Sequence, residues 1–353
     1  MQVLITALSR AAFATQVATR LGLSLSACFV LVAKPAAGSH VPPPLPTPCT
    51  VEQALRFHAD LRAPPSKSAL LFMSEACSDS AEAARLCHLA SPAGKQAYHD
   101  WVHRDGRGLA ELLREFQSCA PSWASLLELA PKLTPRYYTI SSSPVSDPNR
   151  VHLTVKVLRE PMRGAEGRTK EGVCSTQLAV LAPGASACVF VRPSGFELPA
   201  SPDAPIIMVG PGTGIAPFRA FLRQLGASGA PVRTGPVRLY FGCRRPDEDY
   251  LYEEELQGHL SKGTLTSLRV AFSRAQEKKV YVQHRVKEDG AELWGLLERH
   301  AHFYICGGTS MGRDVVGALT EAIATHGRMS AAAAADYVKR MQEQGRLMQE
   351  LWS

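Results

Sequence analysis

The sequence predicts an α/β protein in which a helical insert and antiparallel strands precede a doubly wound parallel sheet. Three observations predict this fold. After Pro205, short and nearly continuous apolar runs alternate with polar turns and helical segments, as in a parallel sheet buried on both faces. Before it, alternating apolar residues indicate antiparallel strands. Earlier still, apolar residues recur every three or four positions, which indicates helices.

The composition is that of a globular chain. The chain has 353 residues, of which 45% are hydrophobic and 20% charged, enough for two domains with cores of their own. The net charge of +7 is scattered, and no basic run is interleaved with aromatic residues, so nucleic-acid binding is not expected. The nine cysteines are odd in number and include no C-x-x-C pair. We therefore expect neither a disulfide framework nor a metal site, and a reducing compartment.

The sequence predicts no membrane span. Its longest apolar run, residues 21–33, is well short of the ~20 residues that a spanning helix needs. The first twenty residues contain Arg10 and Arg20 and no acidic residue, so a mitochondrial transit peptide and the edge of a domain both stay open.

The elements follow in chain order. Up to about residue 45 the chain is expected to be irregular, ending in the Pro-rich VPPPLPTP. From Val51 to Leu129 the pattern predicts helices. RYYTI at 136–140, VHLTVKVL at 151–158 and ACVFVRP at 187–193 predict strands. The first of these continues as RYYTISSSP, where a guanidinium, two phenol rings and several hydroxyls suit a flat, anionic ligand.

A glycine-rich turn opens the parallel-sheet part. In IIMVGPGTGIAPFRAFL a strand runs into Gly210, Gly212 and Gly214, and a helix begins with Pro217 in its first turn. Glycines let the backbone approach a pyrophosphate, and the free N–H groups of the helix start bind the anion. The alternative is a plain tight turn.

A basic segment follows the third parallel strand. In AFSRAQEKKVYVQH, Ser273 and Arg274 lie at the strand's carboxyl end, where open parallel sheets bind ligands, and Lys279 and Tyr281 follow. These side chains suit a phosphate monoester such as the 2′-phosphate that distinguishes NADPH from NADH. The alternative is a solvated basic loop.

Two further residues are candidates on position alone. Cys306 ends the strand FYICGG, where its thiol is either inert core or a neighbour of a nicotinamide ring. Trp352 is the second-last residue, and a terminal indole is usually frayed.

Seven motifs occur in one order and resemble the ferredoxin–NADP reductase-type half of the diflavin reductases. They are RYYTISSSP, GVCSTQL, GPGTGIAPFRAFL, YFGCRRPDEDYLYEEEL, AFSRAQEKKVYVQH, YICGG and the closing ELWS. The resemblance implies a truncated antiparallel FAD-binding β-barrel with a helical connecting insert, followed by a doubly wound NADP-binding domain. The implied divisions are a remnant of the FAD and connecting domain at 1–45, the helical connecting region at 46–130, the barrel at 131–203 and the NADPH-binding domain at 204–353.

The resemblance also implies the function. NADPH would reduce FAD, and electrons would pass to an FMN-binding flavodoxin-like domain or protein and then to a haem protein such as a cytochrome P-450. Two features are most similar to the diflavin reductases that pass electrons to haem proteins: the connecting region CTVEQALRFHADLRAPP and the terminal Trp-Ser. No FMN domain or membrane anchor is found in the sequence, so we expect a shortened reading frame whose anchored full-length form would lie on the cytoplasmic side of the endoplasmic reticulum.

The site residues are carried over from the family motifs. Catalytic roles at the hydride-transfer site are implied for Thr139, Cys306, Glu350 and Trp352. FAD contacts are implied for Arg136, Tyr137, Tyr138, Thr139, Thr154, Val155, Lys156, Gly172, Val173, Cys174, Ser175 and Trp352. NADPH contacts are implied for Gly212, Thr213, Gly214, Ser273, Arg274, Lys279, Tyr281, Gln283 and Asp314.

Four residues depart from the family pattern. Thr139 replaces a serine, Glu350 an aspartate, Gly308 an acid, and Glu160 an aromatic residue that stacks on the FAD adenine. Alternatives within the family are the reductase parts of sulfite reductase, nitric-oxide synthase and methionine synthase reductase. An alternative of another class is a non-catalytic NADPH-binding remnant.

Overall fold

The structure is a computed structural model that describes residues 2–6, 8–9, 11–32, 45–162, 167–230 and 232–352. The chain forms two compact units. The first, here the sheet unit, comprises residues 1–4, 137–155 and 190–353. The second, here the helical unit, comprises residues 5–136 and 156–189.

The helices, in chain order, are α1 (Ala11–Arg20), α2 (Val51–Gln53), α3 (Lys67–Glu75), α4 (Ser80–Ala90), α5 (Lys95–Tyr98), α6 (Leu109–Glu115), α7 (Trp123–Leu129), α8 (Val173–Val180), α9 (Ala216–Leu225), α10 (Pro246–Asp249), α11 (Glu253–Ser261), α12 (Val282–Glu288), α13 (Gly290–Glu298), α14 (Thr309–His326) and α15 (Ala331–Glu343). Two π-helical segments, Ala54–His58 and His99–Arg104, continue α2 and α5, and a 3₁₀ segment, Gly212–Ile215, precedes α9.

The strands are β1 (Gln2–Ile5), β2 (Cys28–Phe29), β3 (Cys49–Thr50), β4 (Arg136–Thr139), β5 (Arg159–Pro161), β6 (Thr169–Glu171), β7 (Val189–Arg192), β8 (Ile206–Val209), β9 (Val237–Cys243), β10 (Ser267–Phe272), β11 (His302–Gly308) and β12 (Leu347–Trp352). Strands β4, β1 and β7 form a three-stranded sheet in that order, and β5 pairs with β6.

The sheet unit is built on a five-stranded parallel sheet with the order β10-β9-β8-β11-β12. Side chains alternate between its faces, so Ile207 and Val209 pack with residues of α12 to α15. Ile206 and Met208 pack on the opposite face with residues of α9 and α11. The prediction of a parallel sheet covered by helices on both faces is therefore confirmed.

The core of the helical unit is formed mainly by α1, α3, α4 and α6. Side-chain caps fix where its helices begin. The Ser66 hydroxyl accepts the N–H of Ala69, and the Asp79 carboxylate accepts the N–H groups of Ala81 and Glu82. Such caps satisfy N–H groups that the first helical turn leaves unpaired. The helices predicted between Val51 and Leu129 are confirmed.

Two secondary-structure predictions are wrong. Residues 2–5 and 11–20 are not irregular, because they form β1 and α1. Residues 151–158 are not a strand, because only an isolated antiparallel bridge joins Ile140 to Leu153. The N–H of His152 donates to the Ser142 hydroxyl at 3.0 Å rather than to a carbonyl of a facing strand, which interrupts the hydrogen-bond ladder there.

Within the described ranges no helix is both long enough and apolar enough to cross a membrane.

Candidate functional site

The glycine turn lies at the carboxyl end of β8, as predicted. A Cβ on Gly210 would lie 2.4 Å from the carbonyl oxygen of Gly214, and one on Gly214 would lie 2.1 Å from that of Cys306. Gly212 has a φ of 55°, in the left-handed region that favours glycine. Thr213 follows it in the 3₁₀ segment that leads into α9. The turn therefore presents closely packed backbone and the start of a helix, which together suit an anion.

Cys306 and Glu350 lie directly opposite each other on β11 and β12. The Thr139 hydroxyl donates to the Glu350 carboxylate (Oγ1 to Oε2, 3.0 Å). Cys306 is fully buried. Burial, and secondarily the Glu350 charge, raise the pKa of the Cys306 thiol, so it stays protonated at neutral pH. A hydroxyl, a carboxylate and a neutral thiol are thus gathered beside the glycine turn.

Trp352 lies on β12 opposite Gly308. The Thr309 hydroxyl donates to the Trp352 carbonyl at 3.0 Å, which ties the end of β12 to the start of α14. The Trp352 side chain is 44% exposed. Its backbone is therefore held in the sheet while much of the indole remains accessible.

The basic segment is anchored through its backbone. The N–H of Ser273 donates to the Cys243 carbonyl at 3.0 Å, and that of Arg274 donates to the Arg244 carbonyl at 2.9 Å. The side chains of Arg274 and Lys279 are exposed. Both cations therefore face solvent at the carboxyl end of β10, where a phosphate group can reach them.

Gln283 and Asp314 are brought together, with the Gln283 amide donating to the Asp314 carboxylate at 3.4 Å. The Gln283 Oε1 atom is buried and has no hydrogen-bond partner within the described chain. Tyr281 precedes α12, and its N–H donates to His284 Nδ1 at 3.2 Å. The Tyr281 ring is exposed, so it lies in reach of a ligand beside the basic segment.

In the helical unit, the motif GVCSTQL forms the start of α8. Gly172 is the N-cap, Val173 is the first helical residue, and Cys174 is buried. The Ser175 hydroxyl accepts the N–H of Leu158 at 3.2 Å. A Cβ on Gly172 would lie 2.4 Å from that hydroxyl oxygen. The N–H groups of the first turn have no acceptor within the helix, so they can meet a phosphate.

Arg136 is held by an acid that the sequence prediction missed. Its guanidinium lies 2.8 Å from the Asp60 carboxylate, which is largely buried. Asp60 also accepts the N–H groups of Arg62 and Ala63. No sequence periodicity links residues 76 positions apart, so only the fold reveals this pair.

The tyrosines and serines of RYYTISSSP have different surroundings. Tyr137 is exposed, with the Arg192 guanidinium 4.4 Å from its ring centre, and Tyr138 is half-buried. Residues 141–143 are buried serines. The Ser142 hydroxyl accepts the His152 N–H, and the Ser143 hydroxyl accepts the Val145 N–H. Those two hydroxyls therefore support the backbone of the turn.

Thr154 is hydrogen-bonded to the Tyr252 hydroxyl at 2.7 Å, while Val155 is half-buried and Lys156 is exposed. The Arg219 guanidinium lies 4.4 Å from the Tyr252 ring centre. Tyr252 was not predicted as a site residue, although it lies within the motif YLYEEE. No group of metal-ligating side chains is found among the described residues.

Two domain-family descriptions match parts of this chain. Residues 11–177 match the family described as "FAD binding domain", and residues 208–317 match "Oxidoreductase NAD-binding domain". The predicted FAD and nicotinamide cofactor classes and the oxidoreductase class are thereby confirmed at the level of domains.

The chain is also similar to several NADPH–cytochrome P450 reductases. It is 41% identical over 321 residues to the NADPH–cytochrome P450 reductase of Drosophila melanogaster, covering 88% of this chain and 46% of that protein. It is 39% identical over 319 residues to the Musca domestica reductase and 41% over 325 residues to the Homo sapiens reductase, in both cases covering 88% of this chain and 47% of the relative. The chain therefore spans about half the length of these relatives, and the resemblance to the diflavin reductases is confirmed.

Proposed function

We propose that this chain, which shares the FAD-binding and NAD-binding domains of the diflavin reductases, is an FAD-dependent NADPH oxidoreductase module. Hydride would pass from NADPH to FAD at the carboxyl ends of β11 and β12. Electrons would then go singly to an FMN-binding domain or protein, and from there to a haem protein such as a cytochrome P-450.

The observation that carries the proposal is the cluster of Thr139, Cys306 and Glu350 beside the glycine turn. The cluster provides a hydroxyl bonded to a carboxylate and a neutral thiol, with the backbone of β11 against Gly214. A neutral thiol and an oriented carboxylate favour positioning a nicotinamide over attacking it. The bound cofactors would supply the redox chemistry.

The residues present fit both cofactors. In the sheet unit, we assign the pyrophosphate of NADPH to residues 212–214 and its 2′-phosphate to Ser273, Arg274, Lys279 and Tyr281. The tight glycine backbone and the exposed cations support this assignment. Gln283 and Asp314 would fix the adenosine end.

For FAD, we propose that Tyr138, Thr139 and residues 154–156 line the flavin, with Tyr137 at its edge and Trp352 covering its other face. The half-exposed indole suits a cover that a nicotinamide can displace, because ring stacking adds only ~0.5–1.5 kcal/mol beyond area burial. In the helical unit, the start of α8 at residues 172–175 and the Arg136 guanidinium would bind the diphosphate.

We further propose that β1, β4 and β7 belong to an antiparallel FAD-binding barrel, and that the NADPH-binding domain begins near residue 204. The predicted remnant, connecting and barrel divisions at 1–45, 46–130 and 131–203 are kept as part of this proposal. In an anchored full-length form, the electron transfer would take place on the cytoplasmic side of the endoplasmic reticulum; a mitochondrial location stays open as the alternative.

A second candidate is a non-catalytic NADPH-binding remnant. It is favoured by the ion pair that already occupies Arg136 and by the exposed Glu160, which offers no ring to the adenine of FAD.

Reconstitution separates the two functions. The purified chain is incubated with FAD, freed of excess by gel filtration, and scanned for a flavin spectrum, while a parallel sample is applied to immobilised 2′,5′-ADP. The reductase proposal predicts a yellow protein that is retained. A colourless protein that is still retained would instead establish the remnant.

A further inference from the structure

Two cysteines of the helical unit face each other and take no part in the proposed electron transfer. Cys77 follows the end of α3, and Cys119 lies between α6 and α7. An isolated antiparallel bridge pairs the two residues directly. Both are free thiols.

The flanking hydrogen bonds define the type of pairing. The N–H of Ala120 donates to the Ala76 carbonyl at 2.9 Å, and the N–H of Ser78 donates to the Ser118 carbonyl at 3.4 Å. Both bonds lie outside the cysteine pair, which is the pattern of a non-hydrogen-bonded antiparallel pair. In such pairs the Cα atoms are about 4.5 Å apart, within the range of roughly 4.4–6.8 Å found in disulfides.

The thiols point to the same place. Each Sγ donates to the Met73 carbonyl oxygen, both at 3.4 Å. Cys77 is half-buried, so a small reagent can reach it, whereas Cys119 is fully buried. Burial, and secondarily the neighbouring Cys77, raise the pKa of the Cys119 thiol to about 12. Cys119 therefore keeps its proton, and Cys77 is the accessible member of the pair.

Three other cysteines of the helical unit, Cys28, Cys49 and Cys87, lack this arrangement. On β2 and β3, Cys28 lies opposite Thr50 and Cys49 opposite Phe29, so these two thiols project from opposite faces. Cys87, on α4, donates its thiol to the Ser74 hydroxyl at 3.1 Å.

We propose that Cys77 and Cys119 form a reversible, redox-active dithiol that is oxidised by a low-molecular-weight disulfide of the glutathione type. Cys77 loses its proton to solvent, and its thiolate attacks one sulfur of oxidised glutathione; the S–S bond of glutathione breaks, a mixed disulfide forms, and the released glutathione thiolate takes up a proton from solvent. The Cys119 sulfur then displaces the second glutathione, which takes the Cys119 proton. Two electrons pass from the cysteine pair to the oxidant. The reaction links Cys77 to Cys119 and so closes a segment that contains α4, α5 and α6. In a reducing compartment such a bond is transient.

Redox titration of the full chain tests the proposal. The protein is equilibrated in mixtures of reduced and oxidised glutathione, quenched in acid, alkylated under denaturing conditions and digested without reduction. We expect a linked peptide containing Cys77 and Cys119, with both thiols lost together over one range of glutathione ratios. The oxidised protein should melt several degrees higher than the reduced protein, because the bond restricts the unfolded chain.

Variants assign the roles. Cys119→Ser should trap Cys77 as the glutathione mixed disulfide, Cys77→Ser should leave Cys119 reduced, and the control Cys87→Ser should leave the linked peptide unchanged. The proposal is overturned if wild-type Cys77 stops at the mixed disulfide, joins Cys87 instead, or stays reduced at every ratio. These outcomes are read on the wild-type chain, so they do not depend on the stability of the variants.

Discussion

Removing the hydroxyl of Thr139 is the sharpest test of the proposed hydride-transfer site. Thr139→Val keeps the branched shape of the side chain but removes the donor that holds the Glu350 carboxylate at 3.0 Å. Glu350 then loses a defined position opposite Cys306 on the neighbouring strand. Thr139→Ser is the matched control, because it keeps the hydroxyl and removes only a methyl group.

The expected slowing of flavin reduction in Thr139→Val follows from the strength of this hydrogen bond and from its exposure to solvent. A hydrogen bond to a charged group contributes ~1.5–3 kcal/mol. Thr139 and Glu350 are both half-buried, so solvent competes for them and the lower end applies. A loss of ~1.5 kcal/mol corresponds to about a tenfold slower flavin reduction. We expect Thr139→Ser to stay within about threefold of the parent.

Stopped-flow absorbance of the FAD-loaded chain mixed with NADPH measures this rate. A double-mutant cycle with Glu350→Met isolates the pair. Its coupling energy should be ~1.5 kcal/mol if the two side chains act together. The assignment is refuted if the effects of the two single variants on the rate add in the double variant to within about 0.5 kcal/mol. It is also refuted if Thr139→Ser and Thr139→Val slow flavin reduction equally.

Three further predictions concern the sheet unit. Trp352→Ala should raise the rate with NADH relative to NADPH, because removing the indole eases access of the nicotinamide; an unchanged coenzyme ratio in steady-state assays would contradict that role. Arg274→Ala should raise the KM for NADPH about tenfold, through loss of one charge-assisted contact, and leave the KM for NADH unchanged. The control Lys339→Ala, an equal charge change on α15, should alter neither KM. Gly214→Ala should destabilise the fold by about 1–3 kcal/mol in chemical denaturation, since its Cβ would lie 2.1 Å from a backbone carbonyl; Gly317→Ala, with open space around it on α14, should not destabilise.

The parallel sheet could be predicted because its central strands are buried on both faces and therefore carry continuous apolar runs. β8, β9 and β11 are of this kind. β12 was missed because LMQELW is an edge strand with mixed burial, so polar residues interrupt its pattern. β1 was missed for a different reason: it has only four residues, so its alternation is too short to recognise.

The motifs supplied candidate site residues, but they could not supply the contacts of those residues. The hydrogen bond between Thr139 and Glu350 joins residues 211 positions apart, and the ion pair of Arg136 with Asp60 joins residues 76 apart. No local pattern carries such pairings, because they depend on how the strands and helices pack. The same holds for Cys77 and Cys119, which lie in two separate connections between helices.

Anaerobic reduction by NADPH tests the central claim most directly. The chain is loaded with FAD and mixed with NADPH or NADH in the absence of oxygen, while the flavin absorbance is followed. The proposal predicts complete bleaching by NADPH, at a rate well above that with NADH. A chain that binds both FAD and NADPH but keeps an unchanged flavin spectrum would contradict it.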